Sequence, residues 1–129
     1  MEANEVTREV IGAAMRVHSA LGPGLLESAY RACLCEELSF KGLRYEAELA
    51  LPISYRGLSL DVGYRVDLLM EQVAVVELKA VTRITPVHRA QLLSYLTLSQ
   101  RSVGLLINFH VRELRHGITR MVNFFPDAG

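Results

Sequence analysis

Residues 73–81 read Val-Ala-Val-Val-Glu-Leu-Lys-Ala-Val, an apolar run that carries a carboxylate at Glu77 and an ammonium group at Lys79. A run so rich in Val, Ala and Leu is typical of a central strand that is covered on both faces. Side chains alternate along a strand, so Glu77 and Lys79 lie on the same face. Because a charge is costly to bury alone, the pair needs each other, a metal ion or water. The alternative is an exposed pair on a solvent face, since Glu-x-Lys is a common tripeptide.

The strand before this run contributes a third charged group, Asp67. In an antiparallel pair, directly opposed residues share a face, so a two-residue turn between the strands would set Asp67 opposite Val76 and on the wrong side. A three-residue turn, or one bulge, would bring it to the face of Glu77, and we predict one of these two at Glu71-Gln72. Two carboxylates and a lysine gathered there would form an oxygen-rich pocket suited to Mg²⁺ or Mn²⁺. The alternative for Asp67 is an ordinary loop acid.

Two helices are predicted before the strands. Apolar residues recur at three-to-four spacing from Asn4 to Leu21. Gly22-Pro23-Gly24 ends this helix, because the residue before a proline is pushed out of helical dihedrals. A second helix follows at once, since proline suits the first turn of a helix, and it runs to about Lys41, where Gly42 is placed to cap it in a left-handed conformation. The residues that it is expected to bury are Leu26, Tyr30, Cys33, Leu34 and Leu38.

The remaining elements alternate between strands and one helix. The third helix has Thr85 as its N-cap and Pro86 in its first turn. Because a crossover helix joins the third and fourth strands, these two are expected to be parallel neighbours. We therefore predict an α/β (α+β) fold in the order ααβββαββ, with a mixed central sheet of about five strands flanked by helices. The predicted strands are 43–51, 58–70 with an interruption near Gly63, 73–81, 102–109 and 118–124, with Pro52 marking the first as an edge or bulged strand.

The composition fits one globular domain over residues 1–129, since half of the residues are hydrophobic and 22% are charged. No apolar run approaches the ~20 residues of a membrane span. The segment from Met1 to Glu5 lacks the basic start of a signal peptide. We therefore expect a cytoplasmic protein without a membrane partner. Cys33 and Cys35 are two apart in a helix and point to different sides, so they are expected to be buried, reduced thiols.

The charges balance, because fourteen Lys and Arg residues face fourteen Asp and Glu residues. A net charge of zero provides no overall basic field to attract nucleic acid from a distance, so any site for a polyanion is local. Apart from Lys41 and Lys79, all the cations are Arg. This bias favours forked contacts to phosphate or carboxylate groups.

Two helices each offer a short polar strip. On the second helix, Glu27 and Tyr30 are neighbours on the surface, and Glu27 lies in the first turns, where a carboxylate is favoured. On the third helix, Gln91 and Tyr95 are four residues apart, with His88 on the same face. Each strip also has an explanation without a function. Glu27 would then be a surface acid that stabilises the helix dipole, and Gln91 with Tyr95 a helix-surface pair.

Several of these segments together resemble one family. The stretch 24–30, Gly-Leu-Leu-Glu-Ser-Ala-Tyr, matches the signature after which the bacterial GxxExxY proteins are named. That family is similar to a small branch of the PD-(D/E)XK nuclease-like superfamily. The resemblance implies a restriction-endonuclease-like core of a helix, three antiparallel strands, a helix and a further strand. It covers residues 10–122 and continues through four segments: Tyr64-Arg65-Val66-Asp67, Glu77-Leu78-Lys79-Ala80, residues 88–96 (His-Arg-Ala-Gln-Leu-Leu-Ser-Tyr-Leu) and residues 104–109 (Gly-Leu-Leu-Ile-Asn-Phe).

The resemblance also implies catalytic roles. Asp67 matches the first acid of the superfamily motif, Glu77 the second acid and Lys79 the lysine. Glu27 matches an acid that many members supply from the helix before the sheet. By this analogy Asp67, Glu77 and the Leu78 carbonyl hold the metal ion, and Glu27 completes the shell directly or through water. Lys79 orients the attacking water and offsets phosphate charge.

The third helix matches a second motif of the superfamily. Gln91 and Tyr95 resemble the Gln-x-x-x-Tyr helix of exonuclease-like branches, where it helps to position the nucleic-acid backbone. His88 and Tyr30 are expected beside them, in contact with substrate or in support of the metal ligands. Val66 departs from the pattern, because it stands where the name-giving proline would be. This substitution weakens only the motif name.

The function implied is a Mg²⁺-dependent or Mn²⁺-dependent phosphodiesterase that acts on DNA, either as a monomer or as a homodimer. One alternative is a nuclease fold that holds nucleic acid or a protein partner without cutting it. The neutral net charge favours that alternative, since a domain without a basic surface binds a duplex poorly at physiological salt. A third interpretation is a sugar or small-molecule enzyme with Glu27 and Asp67 as paired acids, which requires a deep pocket.

Overall fold

The computed structural model describes residues 1–124, so the end of the predicted domain at residue 129 lies outside the described residues. Three α-helices and seven strands make up this part of the chain, with a short 3₁₀ helix at Leu114–Gly117 before the last strand. The helices are α1 (Ala3–Leu21), α2 (Glu27–Phe40) and α3 (Pro86–Ser99). The strands are β1 (Tyr45–Ala50), β2 (Ile53–Tyr55), β3 (Leu58–Leu60), β4 (Arg65–Met70), β5 (Ala74–Lys79), β6 (Val103–Asn108) and β7 (Ile118–Val122).

Five strands form one mixed sheet in the order β1-β4-β5-β6-β7. The strand β5 lies at its centre, antiparallel to β4 and parallel to β6, as the crossover through α3 requires. Apolar residues of α1 and α2 cover one face of the sheet, and those of α3 cover the other. This arrangement confirms the predicted fold class, a five-stranded mixed sheet flanked by helices. Among residues 1–124, no helix is both long and apolar enough to cross a membrane.

The predicted strand 58–70 is wrong in one respect, because it is two strands that belong to different sheets. Residues 58–60 form β3, which pairs only with β2 in a separate two-stranded hairpin turning at Arg56-Gly57. Gly63, at φ 92, lies in the segment that leads back to β4. Glycine tolerates this left-handed conformation, so the predicted interruption near Gly63 is the place where the chain leaves one sheet for the other.

The ends of α1 and α3 lie where predicted, but α2 begins at Glu27 and not directly after Gly22-Pro23-Gly24, and it buries fewer residues than expected. Tyr30, Leu34 and Leu38 are fully buried, at a spacing of four residues. The prediction was wrong for Leu26, which is 77% exposed, and for Cys33, which is also exposed. The reason is that α2 begins at Glu27, so Leu26 precedes the helix, and Cys33 falls on its outer side. Both cysteines are free thiols, as predicted.

The connection between β4 and β5 is the predicted odd one. Met70 pairs with Ala74, so three residues separate the paired ends. Glu71 and Gln72 both have positive φ angles, 50° and 59°, and the amide of Val73 donates to the Met70 carbonyl. These are features of a tight primed turn with one extra residue. Continuing this register by one step beyond Leu68 and Val76 sets Asp67 opposite Glu77.

In both β1 and β4, the regular alternation of side chains between the two faces of the sheet is interrupted at the level of Asp67. Tyr45 packs on the α1–α2 side of the sheet, whereas Leu49 packs beneath α3, although residues four apart in a regular strand share a face. Glu48, between them, has a φ of 52°. On β4, Val66 and Leu69 both pack beneath α3, although an odd spacing would place them on opposite faces. This break in the pleat gives Asp67 access to groups on both sides of the sheet.

Candidate active site

The carboxylates of Asp67 and Glu77 each accept a hydrogen bond from the opposite strand, at the point where the β4–β5 ladder stops. Regular pairing ends with Leu68 opposite Val76. One step further, the main-chain amide of Asp67 donates to Oε1 of Glu77 at 2.9 Å. The amide of Leu78 donates to Oδ2 of Asp67 at 2.8 Å. Each carboxylate thus accepts from the opposite strand, which holds both side chains between β4 and β5.

Both acids are buried, which excludes an ordinary exposed Glu-x-Lys pair. The residue Glu77 is only 4% exposed and Asp67 only 8%. Burial, and after it the negative charge of Asp67, raises the pKa of Glu77 from its ordinary value of 4.5 to about 8. Two buried carboxylates side by side repel each other when both are ionised. The site therefore favours either a proton or a cation.

Lys79 lies on the same face of β5 as Glu77 and reaches α3. Its Nζ donates to Oε1 of Gln91 at 3.3 Å. One turn further along the helix, Tyr95 is buried against the sheet. Burial raises the pKa of the Tyr95 hydroxyl, and the negative charge of Glu77 adds to this shift. The structure thus brings the predicted α3 pair, Gln91 and Tyr95, to the predicted strand pair.

Glu27 is the first residue of α2 and is half-buried on the side of the acids. Burial raises the pKa of Glu27, and the charge of Asp67 raises it further. Three positive groups act in the opposite direction and lower it: Lys79 first, then Arg31 and His88. Glu27 therefore shares one electrostatic environment with the residues from β4, β5 and α3.

Sequence reasoning missed Arg31, which lies in the middle of this cluster. Its guanidinium contacts Oδ1 of Asp67 at 3.1 Å and Oε1 of Glu48 at 2.9 Å. One sequence signal was available, because Arg31 follows Glu27 by four residues and so lies on the same face of α2. Glu48 gave no such signal, since it reaches Arg31 only through the change of face in β1.

Two predicted residues lie at the edge of the cluster or away from it. His88 caps α3: its Nδ1 accepts from the Thr85 amide at 3.0 Å, and its own amide donates to Oγ1 of Thr85. The Tyr30 ring is fully buried and stacks on Phe109, with ring centroids 4.4 Å apart. The Tyr30 hydroxyl donates to the Gly22 carbonyl, so it holds the loop before α2 and does not reach the acids.

A buried asparagine fixes the chain just beyond Lys79. Asn108 on β6 pairs with Lys79 in the parallel ladder and is only 2% exposed. Its carboxamide accepts from the Val81 amide at 3.1 Å and donates to the Val81 carbonyl at 2.9 Å. A two-point amide clamp of this kind sets the direction in which β5 leaves the sheet. Asn108 therefore supports the position of the lysine.

The donor set fits a hard divalent cation. Within residues 1–124, no three His, Cys, Asp or Glu side chains lie close enough together to hold a metal ion on their own. Mg²⁺ does not require this, because it is usually bound through one or two carboxylates, with water and substrate phosphates as its other ligands. Asp67 and Glu77 provide such a pair. Burial and the charge of Asp67 both raise the pKa of Glu77, and a bound cation would offset both effects.

Comparison with known proteins places the chain in a family. The family model of the PD-(D/E)XK nuclease superfamily matches residues 4–121. The chain matches no curated protein and no solved structure. The matched range contains every residue of the cluster, and the mixed sheet with α3 as its crossover is consistent with a restriction-endonuclease-like fold. The chain therefore belongs to the PD-(D/E)XK nuclease superfamily.

Proposed function

We propose that the protein is a Mg²⁺-dependent or Mn²⁺-dependent phosphodiesterase that cleaves DNA, and that it belongs to the GxxExxY branch of its superfamily. The observation that carries this proposal is the arrangement of Asp67 and Glu77, which are buried side by side near the end of β5 that carries Lys79. The stretch 24–30 supports the GxxExxY assignment, because its Glu27 has a pKa that is shifted by the charges of Asp67 and Lys79.

Each side chain has a role that follows from its position. Asp67, Glu77 and the Leu78 carbonyl would hold the metal ion, and Glu27 would complete the shell directly or through water. The bound cation would polarise the scissile phosphate and offset its charge. Lys79, kept in place by Gln91, orients the attacking water and offsets negative charge on the phosphate.

Lysine replacement tests this proposal. The chain has only two lysines, so Lys79→Ala has a matched control in Lys41→Ala, at the exposed C-terminal end of α2. We expect Lys79→Ala to lower Mn²⁺-dependent cleavage of labelled DNA by at least about 100-fold, the usual effect of losing one catalytic group. Circular dichroism should be unchanged for both variants. Cleavage by Lys79→Ala at the rate of Lys41→Ala would refute the assignment.

A second candidate is a nuclease-fold module that binds nucleic acid or a protein without cutting. The formal net charge of zero favours it, because a duplex is bound mainly through phosphate neutralisation. A module without catalysis has no need of a metal site. Retention of metal binding by the two carboxylates therefore separates the two candidates.

A further inference from the structure

A groove runs along α3 directly beside the acidic cluster, which consists of Glu27, Asp67 and Glu77. It has a volume of about 340 Å³ and lies between the start of the β2–β3 hairpin, the segment before β4 and the outer side of α3. This volume is at the lower end of the ~300–1,000 Å³ typical of ligand sites. Six of its lining residues are Ile53, Tyr64, Val87, Gln91, Tyr95 and Leu98.

Two tyrosines and one amide give this groove its chemical character. The rings of Tyr64 and Tyr95 have centroids 6.2 Å apart and are inclined by 60°. Tyr64 is 41% exposed, so part of its ring is open to a ligand, whereas Tyr95 is almost buried. Gln91 lines the groove and also accepts a hydrogen bond from Lys79. A molecule in the groove would therefore lie next to the proposed catalytic lysine.

The lining of the groove carries no negative charge that would repel a polyanion. None of the lining residues is an Asp or Glu. Two exposed arginines are close in sequence to lining residues, Arg56 on the hairpin turn and Arg83 before α3, and neither forms an ion pair with another residue in 1–124.

A second cleft of the protein differs from the α3 groove in the residues that line it. It also has a volume of about 340 Å³ and lies at the other end of β1 and β4, beside the Glu71-Gln72 turn. Glu46 and Glu71 line it together with Arg44 and Tyr45, and none of Glu27, Asp67 and Glu77 does. Its two carboxylates disfavour phosphate, and Arg44 offsets only part of their charge. Of the two clefts, only the α3 groove combines aromatic surface, absence of acids and contact with the site.

We infer that the α3 groove receives an unpaired nucleobase, stacked against Tyr64, and that the protein therefore acts on single-stranded nucleic acid. This inference deepens the proposed function and rests on it. An aromatic ring at a groove lined mainly by apolar residues offers a stacking surface for any base. A base pair within a duplex keeps its faces stacked on its neighbours and offers Tyr64 no free face. Single-stranded DNA and single-stranded RNA share this chemistry.

Binding measured without metal tests the inference. The probes are a labelled oligothymidylate of about 12 nucleotides, an oligouridylate of the same length and a blunt DNA duplex. Fluorescence anisotropy in EDTA measures binding while metal-dependent cleavage is prevented. We expect wild type to bind a single strand at least about 10-fold more tightly than the duplex. Comparison of the oligothymidylate with the oligouridylate shows whether DNA or RNA is preferred.

Variants of Tyr64 test the stacking contact. We expect Tyr64→Ala to weaken single-strand binding about 5- to 100-fold, which is the usual range for loss of one stacked base. Tyr64→Trp should retain binding, because it keeps an aromatic face. The control is Phe40→Ala, which removes an aromatic side chain that is 86% exposed and lies outside the groove. Equal affinity for duplex and single strand, or wild-type binding by Tyr64→Ala, would overturn the inference.

The two proposals fail separately. Binding that depends on Tyr64, in a protein that cuts no DNA with Mn²⁺, would refute the nuclease and leave the groove assignment standing. Cleavage that depends on Lys79, together with binding that does not depend on Tyr64, would refute the groove assignment and leave the nuclease proposal standing. Absence of binding to either single strand would overturn the inference and leave the groove as a surface for a protein segment.

Discussion

The main-chain amide of Asp67 donates a 2.9 Å hydrogen bond to Oε1 of Glu77. A side chain thus takes the place of a ladder bond at the end of two strands. Because the two carboxylates are then buried side by side, the folded protein without metal holds a proton on Glu77 where an exposed acid would be ionised. Stability, metal affinity and their dependence on pH all follow from this arrangement.

Metal-free protein should lose stability as the pH rises from about 4.5 to about 8. The folded state keeps the Glu77 proton up to about pH 8, whereas the unfolded chain releases it near 4.5. The folded state therefore binds more protons in this window, and the free energy of unfolding falls with rising pH. The raised pKa of Glu27 acts in the same direction. Urea unfolding in EDTA at several pH values measures this effect.

The variant Glu77→Gln is the control for that series. It removes the titrating group but keeps an oxygen that can accept from Asp67, so its stability should vary less between these pH values. At about pH 9 we expect it to be more stable than wild type by roughly 1–3 kcal/mol, the usual cost of a buried polar group without compensation. A pH profile that is the same for both proteins would contradict the raised pKa.

Binding of Mn²⁺ should release about one proton near neutral pH, because a metal ligand must be deprotonated and Glu77 holds its proton up to about pH 8. Affinity should therefore increase with pH and level off above about 8. Calorimetric titration at pH 7 in two buffers with different ionisation enthalpies measures the number of protons released. Release of no proton would show that Glu77 is ionised before the metal binds.

Replacing Arg31 should strengthen metal binding. Its guanidinium occupies Oδ1 of Asp67 and places a positive charge beside the predicted ligands. Since a partly exposed ion pair is worth ~0.2–1 kcal/mol, Arg31→Met should bind Mn²⁺ roughly two- to fivefold more tightly. The matched control is Arg16→Met, which removes a pair with Glu37 on the surface of α1 and α2. Weaker binding by Arg31→Met would instead show that the arginine is needed to position Asp67.

Removal of the asparagine clamp should destabilise the fold. In Asn108→Ala the half-buried amide and carbonyl of Val81 lose their partner, which costs roughly 1–3 kcal/mol. Asn123→Ala is the control, because its side chain bonds Thr97 on the surface, and a change within about 0.5 kcal/mol is expected. Urea unfolding compares the two. Equal stability of Asn108→Ala and wild type would show that the clamp contributes nothing.

Much of the fold was predictable from local signals. The apolar run of β5 indicated the central strand, and Thr85-Pro86 indicated the start of α3. The register of Asp67 was also predictable, because only an odd connection brings it to the face of Glu77. The separate hairpin was not, since Gly63 indicated an interruption of the strand 58–70 but not that its two parts belong to different sheets. Where that strand leaves the sheet is decided by contacts far away in sequence.

The site was predictable as a set of residue types but not as a set of contacts. Spacing alone placed Gln91 and Tyr95 on one face of α3 and Glu77 beside Lys79 on one face of β5. The contacts of Arg31 depend on the change of face at Glu48 and Asp67, for which no sequence pattern is known to us. The catalytic roles of the predicted site residues stay predictions. The single domain over residues 1–129 also stays a prediction.

The most direct test of the account is a calorimetric titration of Mn²⁺ into wild type and into Asp67→Asn at about pH 8. The variant keeps an oxygen for the Leu78 amide but loses one of the two carboxylates. The account predicts a single site in the wild type and a loss of affinity of at least about 10-fold in the variant. Equal binding by the two proteins, or none by the wild type, would contradict a metal-dependent nuclease centred on Asp67 and Glu77.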